Sequence, residues 1–249
     1  MKECEIFSNL RAPYGSEIVV RADGRKFSQL STELGLKKPY DNDFASLMCN
    51  VCLDFFKEFA PKFIYTFSDE INILISDIPF NGRIEKLDSV FASYISASFM
   101  KNLFKKNKFM NIIEKHDLKP VSFDSRIIPL SFQGTVDYFQ KRQTEAWRNC
   151  LNGYSYWKLR EKYGKSTSVE ILNKKKGSEL HDLLFKGGLN ISEVPNWQRR
   201  GIGIYRKSLE VEGYNPLEKK TVKTRRNIAK IDCKLPLINR EFFETKIYH

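Results

Sequence analysis

Two short acidic turns, each closing a strand-like run, set the tightest limit on what this chain can fold into. Glu17-Ile18-Val19-Val20-Arg21-Ala22 is rich in β-branched residues and ends at Asp23-Gly24, a common turn dipeptide. Phe63–Phe67 and Ile71–Ser76 read as two paired strands with Ser68-Asp69-Glu70 between them at the hairpin tip. Phe44, Leu47, Met48, Val51, Phe55 and Phe59 recur at helical spacing and predict a helix over 43–60. Asp41, Asn42 and Asp43 offer it N-cap oxygens. A second helix fits 85–104, with Leu87, Val90, Phe91, Tyr94 and Ile95 on one face, and Val121–Leu130 supplies another strand. The order strand, helix, strand, strand, helix, strand is the split βαβ arrangement of ferredoxin-like folds, a layout that polymerase palms also use. The expected fold class is α+β: a palm-like antiparallel sheet with helices over residues 1–133, followed by a basic, largely helical region over 134–249.

The second region reads differently. Residues 135–163 predict a long helix rich in Arg, Tyr and Trp that ends near Gly164, and residues 168–187 give one or two short helices around Gly177. Gly201–Leu209 reads as a strand, followed by the basic stretch Lys219, Lys220, Lys223, Arg225, Arg226 and Lys230. The net charge of +12 is unevenly placed. Residues 1–100 carry 11 Lys and Arg against 14 Asp and Glu, whereas residues 101–249 carry 31 against 16. A near-neutral half beside a strongly basic one suits a catalytic body joined to a polyanion-binding surface, with a solvated lysine face as the plain alternative. No internal repeat or low-complexity linker separates the halves, which predicts one compact body.

Several classes are excluded by composition. Hydrophobic residues make up 41% of the 249, including 19 Phe and 11 Tyr spread along the chain, which is enough apolar surface for a core. No apolar run approaches the roughly 20 residues needed to cross a bilayer. The N-terminus lacks an apolar signal core, so the expectation is a soluble, cytoplasmic protein. Five scattered cysteines do not form a secreted disulfide framework. Cys49 and Cys52 make a C-x-x-C, but they fall on an apolar helical face with no second ligand pair, and core packing is the reading adopted.

Asp23 at a strand end and Asp69 and Glu70 at a hairpin tip would converge in a split βαβ sheet, where the first strand lies beside the central hairpin. Such carboxylates suit hard divalent cations such as Mg²⁺, and two of these would bridge an attacking hydroxyl and a leaving phosphate oxygen. Gly24 would let the backbone approach closely. The plain alternative is that each acid caps its own turn. Lys38, ahead of Pro39, and Lys86, at the start of the second helix, are candidate triphosphate cations.

Taken together these segments resemble the tRNA-His guanylyltransferase family of 3′–5′ nucleotide-adding enzymes. The resemblance runs through Ile18-Val19-Val20-Arg21-Ala22-Asp23-Gly24-Arg25-Lys26-Phe27, Lys38-Pro39, Phe67-Ser68-Asp69-Glu70 and Phe123-Asp124-Ser125-Arg126. It resumes at Leu183-Leu184-Phe185 and Pro195-Asn196-Trp197-Gln198-Arg199-Arg200-Gly201. Trp147-Arg148-Asn149-Cys150-Leu151-Asn152-Gly153 stands where eukaryotic members carry His-Ile-Asn-Asn-Leu-Tyr-Asn. Ser28 replaces a frequent His, and Ser125 a Gly. These departures resemble the like-protein branch, which repairs truncated tRNA 5′ ends against a template.

The resemblance implies two Mg²⁺ ions held by Asp23, the Gly24 carbonyl and Asp69, with Glu70 a supporting member of the catalytic set. It implies an incoming GTP or other nucleoside triphosphate wrapped by Asp23, Gly24, Arg25, Lys26, Phe27 and Ser28 beside Ser68 and Asp69, with Lys38 and Lys86 on the triphosphate. The 5′ end of tRNA would be activated by ATP and then attacked by the 3′-hydroxyl of the incoming nucleotide. Arg126, Arg142, Arg148, Arg199 and Arg200 are the expected tRNA contacts. A homo-oligomer, dimer or tetramer, is implied by resemblance. A nucleotidyl cyclase on the same fold, or a non-catalytic RNA-binding protein, are the competing readings.

Overall fold

The computed structural model describes residues 4–115, 118–215 and 220–248. Its centre is one six-stranded, wholly antiparallel sheet in the order β4-β1-β3-β2-β5-β6. The strands are β1 (Glu17–Gly24), β2 (Phe63–Phe67), β3 (Glu70–Ile75), β4 (Phe123–Leu130), β5 (Ile202–Asn215) and β6 (Lys220–Asp232). Between them come α1 (Phe27–Glu33), α2 (Asn42–Phe59), α3 (Ile84–Phe104), α4 (Asn107–Lys115), α5 (Phe132–Tyr163), α6 (Lys165–Asn173), α7 (Gly177–Lys186) and α8 (Asn196–Arg200). Among the described residues no helix is long and apolar enough to cross a membrane.

Strand alternation divides the core into two layers. Ile18, Val20 and Ala22 of β1, Ile64 of β2, and Ile71, Ile73 and Ile75 of β3 face one way, into a cluster with α2 and α3 side chains such as Val51, Phe55, Phe91 and Phe99. Val19, Phe63, Tyr65 and Leu74 face the other way, against Val136, Phe139 and Ala146 of α5 and the C-terminal Leu235, Ile238, Phe242 and Phe243. A smaller cluster ties α5 to α7 through Cys150, Leu151, Leu180 and Leu184. Cys49 and Cys52 are buried within the first cluster, in keeping with a packing role.

The second half departs from a largely helical region. The basic stretch forms β6, which pairs along its whole length with β5 and makes a long hairpin. Only Ile202–Tyr205 of β5 also pair with β2, so most of that hairpin is a two-stranded ribbon. Lys220, Lys223, Arg225 and Arg226 are exposed on it, while Lys219 lies outside the described residues. Its described side chains are exposed or only partly buried, and this strand lacks the apolar alternation that marks the others. The lysines and arginines on this open edge oppose pairing with another chain, as does Pro129 at the opposite edge, on β4.

Of the three N-cap candidates, Asp41 caps α2. Its Oδ1 accepts from the backbone N–H groups of Asp43 (2.8 Å) and Phe44 (3.0 Å). Its Oδ2 accepts from the Lys37 N–H (3.0 Å) and from Lys108 Nζ (2.9 Å), which joins α2 to α4. Burial pushes the Asp41 carboxyl up, but the bonds from Lys37, Lys108 and Phe44 outweigh it and hold the group below the usual carboxylate range. Asp41→Ala should therefore cost about 2–3 kcal/mol of stability, more than an exposed cap. A depressed folded pKa gives stability that is present above the unfolded value of about 4 and is lost as pH falls through the folded value. Urea unfolding at descending pH should accordingly show a shallower acid loss in Asp41→Ala than in the parent.

Candidate functional site

The layer that faces α5 turns from apolar to charged as the strands approach their ends. On β1, Val19 is followed on the same face by Arg21 and Asp23; on β3, Leu74 is preceded by Asn72 and Glu70; β4 adds Asp124 and Arg126. Register completes the convergence, because Asp23 stands directly opposite Glu70 on one side and Asp124 on the other. Ser68 and Asp69 form a two-residue turn between β2 and β3, with Ser68 at φ 55°. Asp69 therefore projects from the tip beside Asp23.

Both acids are held above the usual carboxylate range. For Asp23 the largest cause is burial, then the negative charge of Glu70, with Arg21 pulling the other way and Asp124 adding to the rise. For Asp69 burial again dominates; its own backbone N–H and Ser68 oppose the rise, and Asp23 and Glu70 reinforce it. The nearest cation to Asp23 is Arg21, at 3.8 Å, and that guanidinium is closer to Glu70, at 2.8 Å. Two acids that repel each other in a partly dry setting are short of positive charge. The oxygen-only donor set fits a hard cation such as Mg²⁺, which takes one or two carboxylates and leaves positions for phosphate. Among the described residues no group of three or more His, Cys, Asp or Glu is placed to hold a metal ion.

Two clefts meet at Asp69, and the second also holds Asp23. The first, of about 210 Å³, lies between α1, α2 and the β2–β3 turn, with Phe27, Ser28, Lys38, Phe44, Asp69 and Trp197 among its walls. Lys38 donates to Ser31 Oγ at 2.6 Å; burial lowers its pKa, and Asp41 opposes that shift. The second, of about 380 Å³, is polar and opens between Asp23, Asp69 and Glu70 on the sheet and α5 opposite. Its α5 wall is the stripe Glu145, Asn149, Gly153 and Trp157, every fourth residue, which runs roughly 18 Å along the helix. Pro39, Tyr40, Phe67, Ser68 and Asp69 border both clefts. The Tyr40 ring is fixed there by Phe67, Tyr154 and Trp197, with centroids 6.0, 5.9 and 5.8 Å away.

This geometry has counterparts of known kind. The sequence profile described as tRNAHis guanylyltransferase matches residues 1–131, more than half of the chain. The chain belongs to the tRNAHis guanylyltransferase family. It is 32% identical to a probable tRNA(His) guanylyltransferase of Dictyostelium discoideum, over 78% of this chain and 76% of that protein. It is 30% identical to the tRNA(His) guanylyltransferase of Saccharomyces cerevisiae, over 76% and 82% of the two chains. Its fold matches a bacterial tRNA(His) guanylyltransferase-like protein, solved in complex with ATP, at a TM-score of 0.76 and 23% identity, over 98% of this chain and 95% of that one. The crystal structure of the Saccharomyces cerevisiae enzyme matches at a TM-score of 0.68 and 27% identity, over 76% and 84%.

Seen beside that family, the expected site residues separate into groups. Asp23, Phe27, Ser28, Lys38, Ser68 and Asp69 converge on the two clefts. Arg25 and Lys26 are exposed and line a different, shallower recess with Lys119, while Lys86 is exposed on α3 and borders neither cleft. Arg126 is exposed beside Asp124, at 3.5 Å, and Arg148 is exposed beside Glu145, at 3.7 Å. Arg199 and Arg200 line a separate recess with Trp147 and Leu237 on the other side of α5. Arg142 lines the polar cleft and pairs there with Glu70 and Glu145. Tyr40, Asn149 and Trp157 were not singled out from sequence, and the i, i+4 spacing along α5 is the signal that marks the last two.

Gly24 has a packing role as well as a place in the turn. A Cβ there would lie 2.2 Å from Phe27 Cδ2, because that ring folds back over the strand end. The same ring meets Phe44, Phe99 and Phe123 edge-on, with centroids 5.0–6.2 Å away, and so has no free direction in which to yield. Gly24→Ala should cost about 1–3 kcal/mol of stability through overpacking and should displace the wall of the first cleft. A thermal melt checks the first effect, and a loss of nucleotide affinity the second.

Proposed function

We propose that the chain is a nucleotidyltransferase that adds nucleotides in the 3′–5′ direction to the 5′ end of tRNA, selecting each by pairing with the opposing strand. The observation that carries this reading is the junction of the two clefts: Asp69 borders both, and Asp23 lies beside it in the polar one. A reaction that joins two phosphate-bearing substrates needs such a junction.

In this reading residues 1–133 form a polymerase-like palm, a view supported by the order β4-β1-β3-β2 of the first four strands. Residues 134–249 bind tRNA. The first cleft takes the incoming nucleoside triphosphate, GTP among others, and ATP for activation of the 5′ end. Phe27 and Trp197 give its base an apolar wall, and Lys38, with Ser28 and Ser68 near it, is the cation available to its phosphates. The tRNA end enters the polar cleft along α5, and the exposed Arg126 and Arg148, the half-buried Arg199 and Arg200 and the basic β5–β6 ribbon meet its phosphates.

Asp23, the Gly24 carbonyl and Asp69 would hold two Mg²⁺ ions. When bound, such ions neutralise charge on the reacting phosphate and favour ionisation of the attacking hydroxyl. The protein's own share is placement. The 3′-hydroxyl of the nucleotide in the first cleft is presented to the activated 5′ phosphate in the second; a new phosphoester forms, and AMP leaves, or pyrophosphate when the end is a triphosphate. Tyr40 and Phe67 between the clefts keep water from the junction.

Asp23→Ala and Asp69→Ala should each reduce 5′ addition to a truncated tRNA by at least about a thousandfold, the scale of several kcal/mol of transition-state stabilisation. Filter binding should show tRNA affinity nearly unchanged. Robust addition by either variant at ordinary Mg²⁺ would remove the assignment.

Template use has a separate test. A tRNA lacking its first nucleotide is supplied with each of the four bases in turn at the opposing position, and the incorporated nucleotide is identified. The expected product is the Watson–Crick complement in each case. Undiminished addition of G opposite A or U would leave a guanylyltransferase without template choice.

A further inference from the structure

Glu70 stands among the acids of the site, yet its bonding differs from theirs. Its Oε2 accepts from Arg21 Nη2 at 2.8 Å and from Arg142 Nη1 at 2.9 Å. Its Oε1 accepts from Asn72 Nδ2 at 2.9 Å and from Arg142 Nη1 at 3.2 Å. A carboxylate has about four acceptor sites, and these four contacts fill them. Asn72 is fully buried and is fixed in turn by the Tyr138 hydroxyl, which donates to its Oδ1 at 2.6 Å. Asp23 and Asp69 have no comparable set of donors.

Arg142 is the other half of the arrangement. Its side chain is only 15% exposed, and its second nitrogen pairs with Glu145, the first residue of the α5 stripe that walls the polar cleft. The chain of bonds Asn72–Glu70–Arg142–Glu145 therefore runs from the strand ends near Asp23 and Asp69 to the helix facing them. No other ion pair among the described residues joins α5 to β3.

We infer that Glu70 and Arg142 act as one positioning pair, which sets α5 at its working distance from Asp23 and Asp69, and that neither is a metal ligand or a tRNA phosphate contact. The inference rests on the nucleotide-addition reading above for its kinetic test but not for its binding test. With the pair broken, Glu145, Asn149, Gly153 and Trp157 keep their helix but lose their fixed separation from the acids. The RNA end then binds, but the phosphate to be attacked is misplaced, so the loss falls on turnover.

The experiment uses the full chain with Glu70→Gln, Arg142→Ala, Arg142→Lys and the double Glu70→Gln/Arg142→Ala. Rates with a truncated tRNA are measured across Mg²⁺, tRNA and salt concentrations, and Mg²⁺ binding is measured by calorimetry without RNA. The expected result is a fall in kcat of about tenfold or more in each alanine or glutamine variant, with the double variant no worse than the worse single. Mg²⁺ affinity and the KM for tRNA should stay within about twofold of the parent. Arg142→Lys, which keeps one charge–charge contact, should recover part of the rate. Thermal melts establish which variants are folded at the assay temperature; if Arg142→Ala is not, Arg142→Lys and Glu70→Gln carry the same comparison. A Mg²⁺ affinity lowered about tenfold by Glu70→Gln alone would make Glu70 a ligand and overturn the inference. So would a raised tRNA KM with a flatter salt dependence in Arg142→Ala alone, or losses that multiply in the double variant. If the parent adds no nucleotide, the proposed function fails while calorimetry still decides whether Glu70 holds metal.

Discussion

The pairing of β1 with β3 is the constraint from which the site follows. Asp23 opposite Glu70, with Val19 opposite Leu74 and Arg21 opposite Asn72, assigns every charged residue of these strand ends to the face that α5 covers. A slip of one residue would turn Arg21 and Asp23 into the apolar layer with Val51 and Phe91 and would expose Ile18 and Val20 to α5. Burial on both faces makes that slip prohibitively costly. The same register leaves the carboxylates in a partly dry place with few cations to spare, which is why Asp23 and Asp69 are both reluctant to ionise without a further positive charge.

The charges near the junction are not interchangeable. Arg21 and Arg142 are paired with Glu70 and Glu145 in the wall of the polar cleft. Arg148, Arg126 and the ribbon bases stand outward and keep their fields for solvent or a partner. A net positive charge thus serves two ends, and only the position of each side chain separates them.

Much of this was legible in the sequence because it rests on short-range patterns. The β-branched run before Asp23, the hairpin around Ser68-Asp69 and the helical spacing of Leu47, Val51 and Phe55 each reflect one buried face, and each element stands within a few residues of its expected place. The strand β6 was not legible, since its described residues carry no buried apolar alternation and its basic residues read as a plain charge run. The fate of Arg142 was hidden for a different reason. A guanidinium well inside a long helix looks free until that helix is folded back over the sheet, which depends on the packing of Val136 and Phe139 on Phe63 and Tyr65. Lys86 illustrates the reverse: its place at a helix start is right, but the helix carries it away from both clefts.

Phe27 belongs at once to the wall of the first cleft and to the aromatic centre of the core, where it is 7% exposed and meets Phe44, Phe99 and Phe123. A wall built from core has no private unfolding reaction. Local opening in proteins draws on segments with few buried contacts, and the Phe27 ring has many, so this side chain should move only with the surrounding layer of α2, α3 and the sheet. One wall of the first cleft is consequently tied to the core, and any freedom for entry into it has to come from its other, more exposed sides.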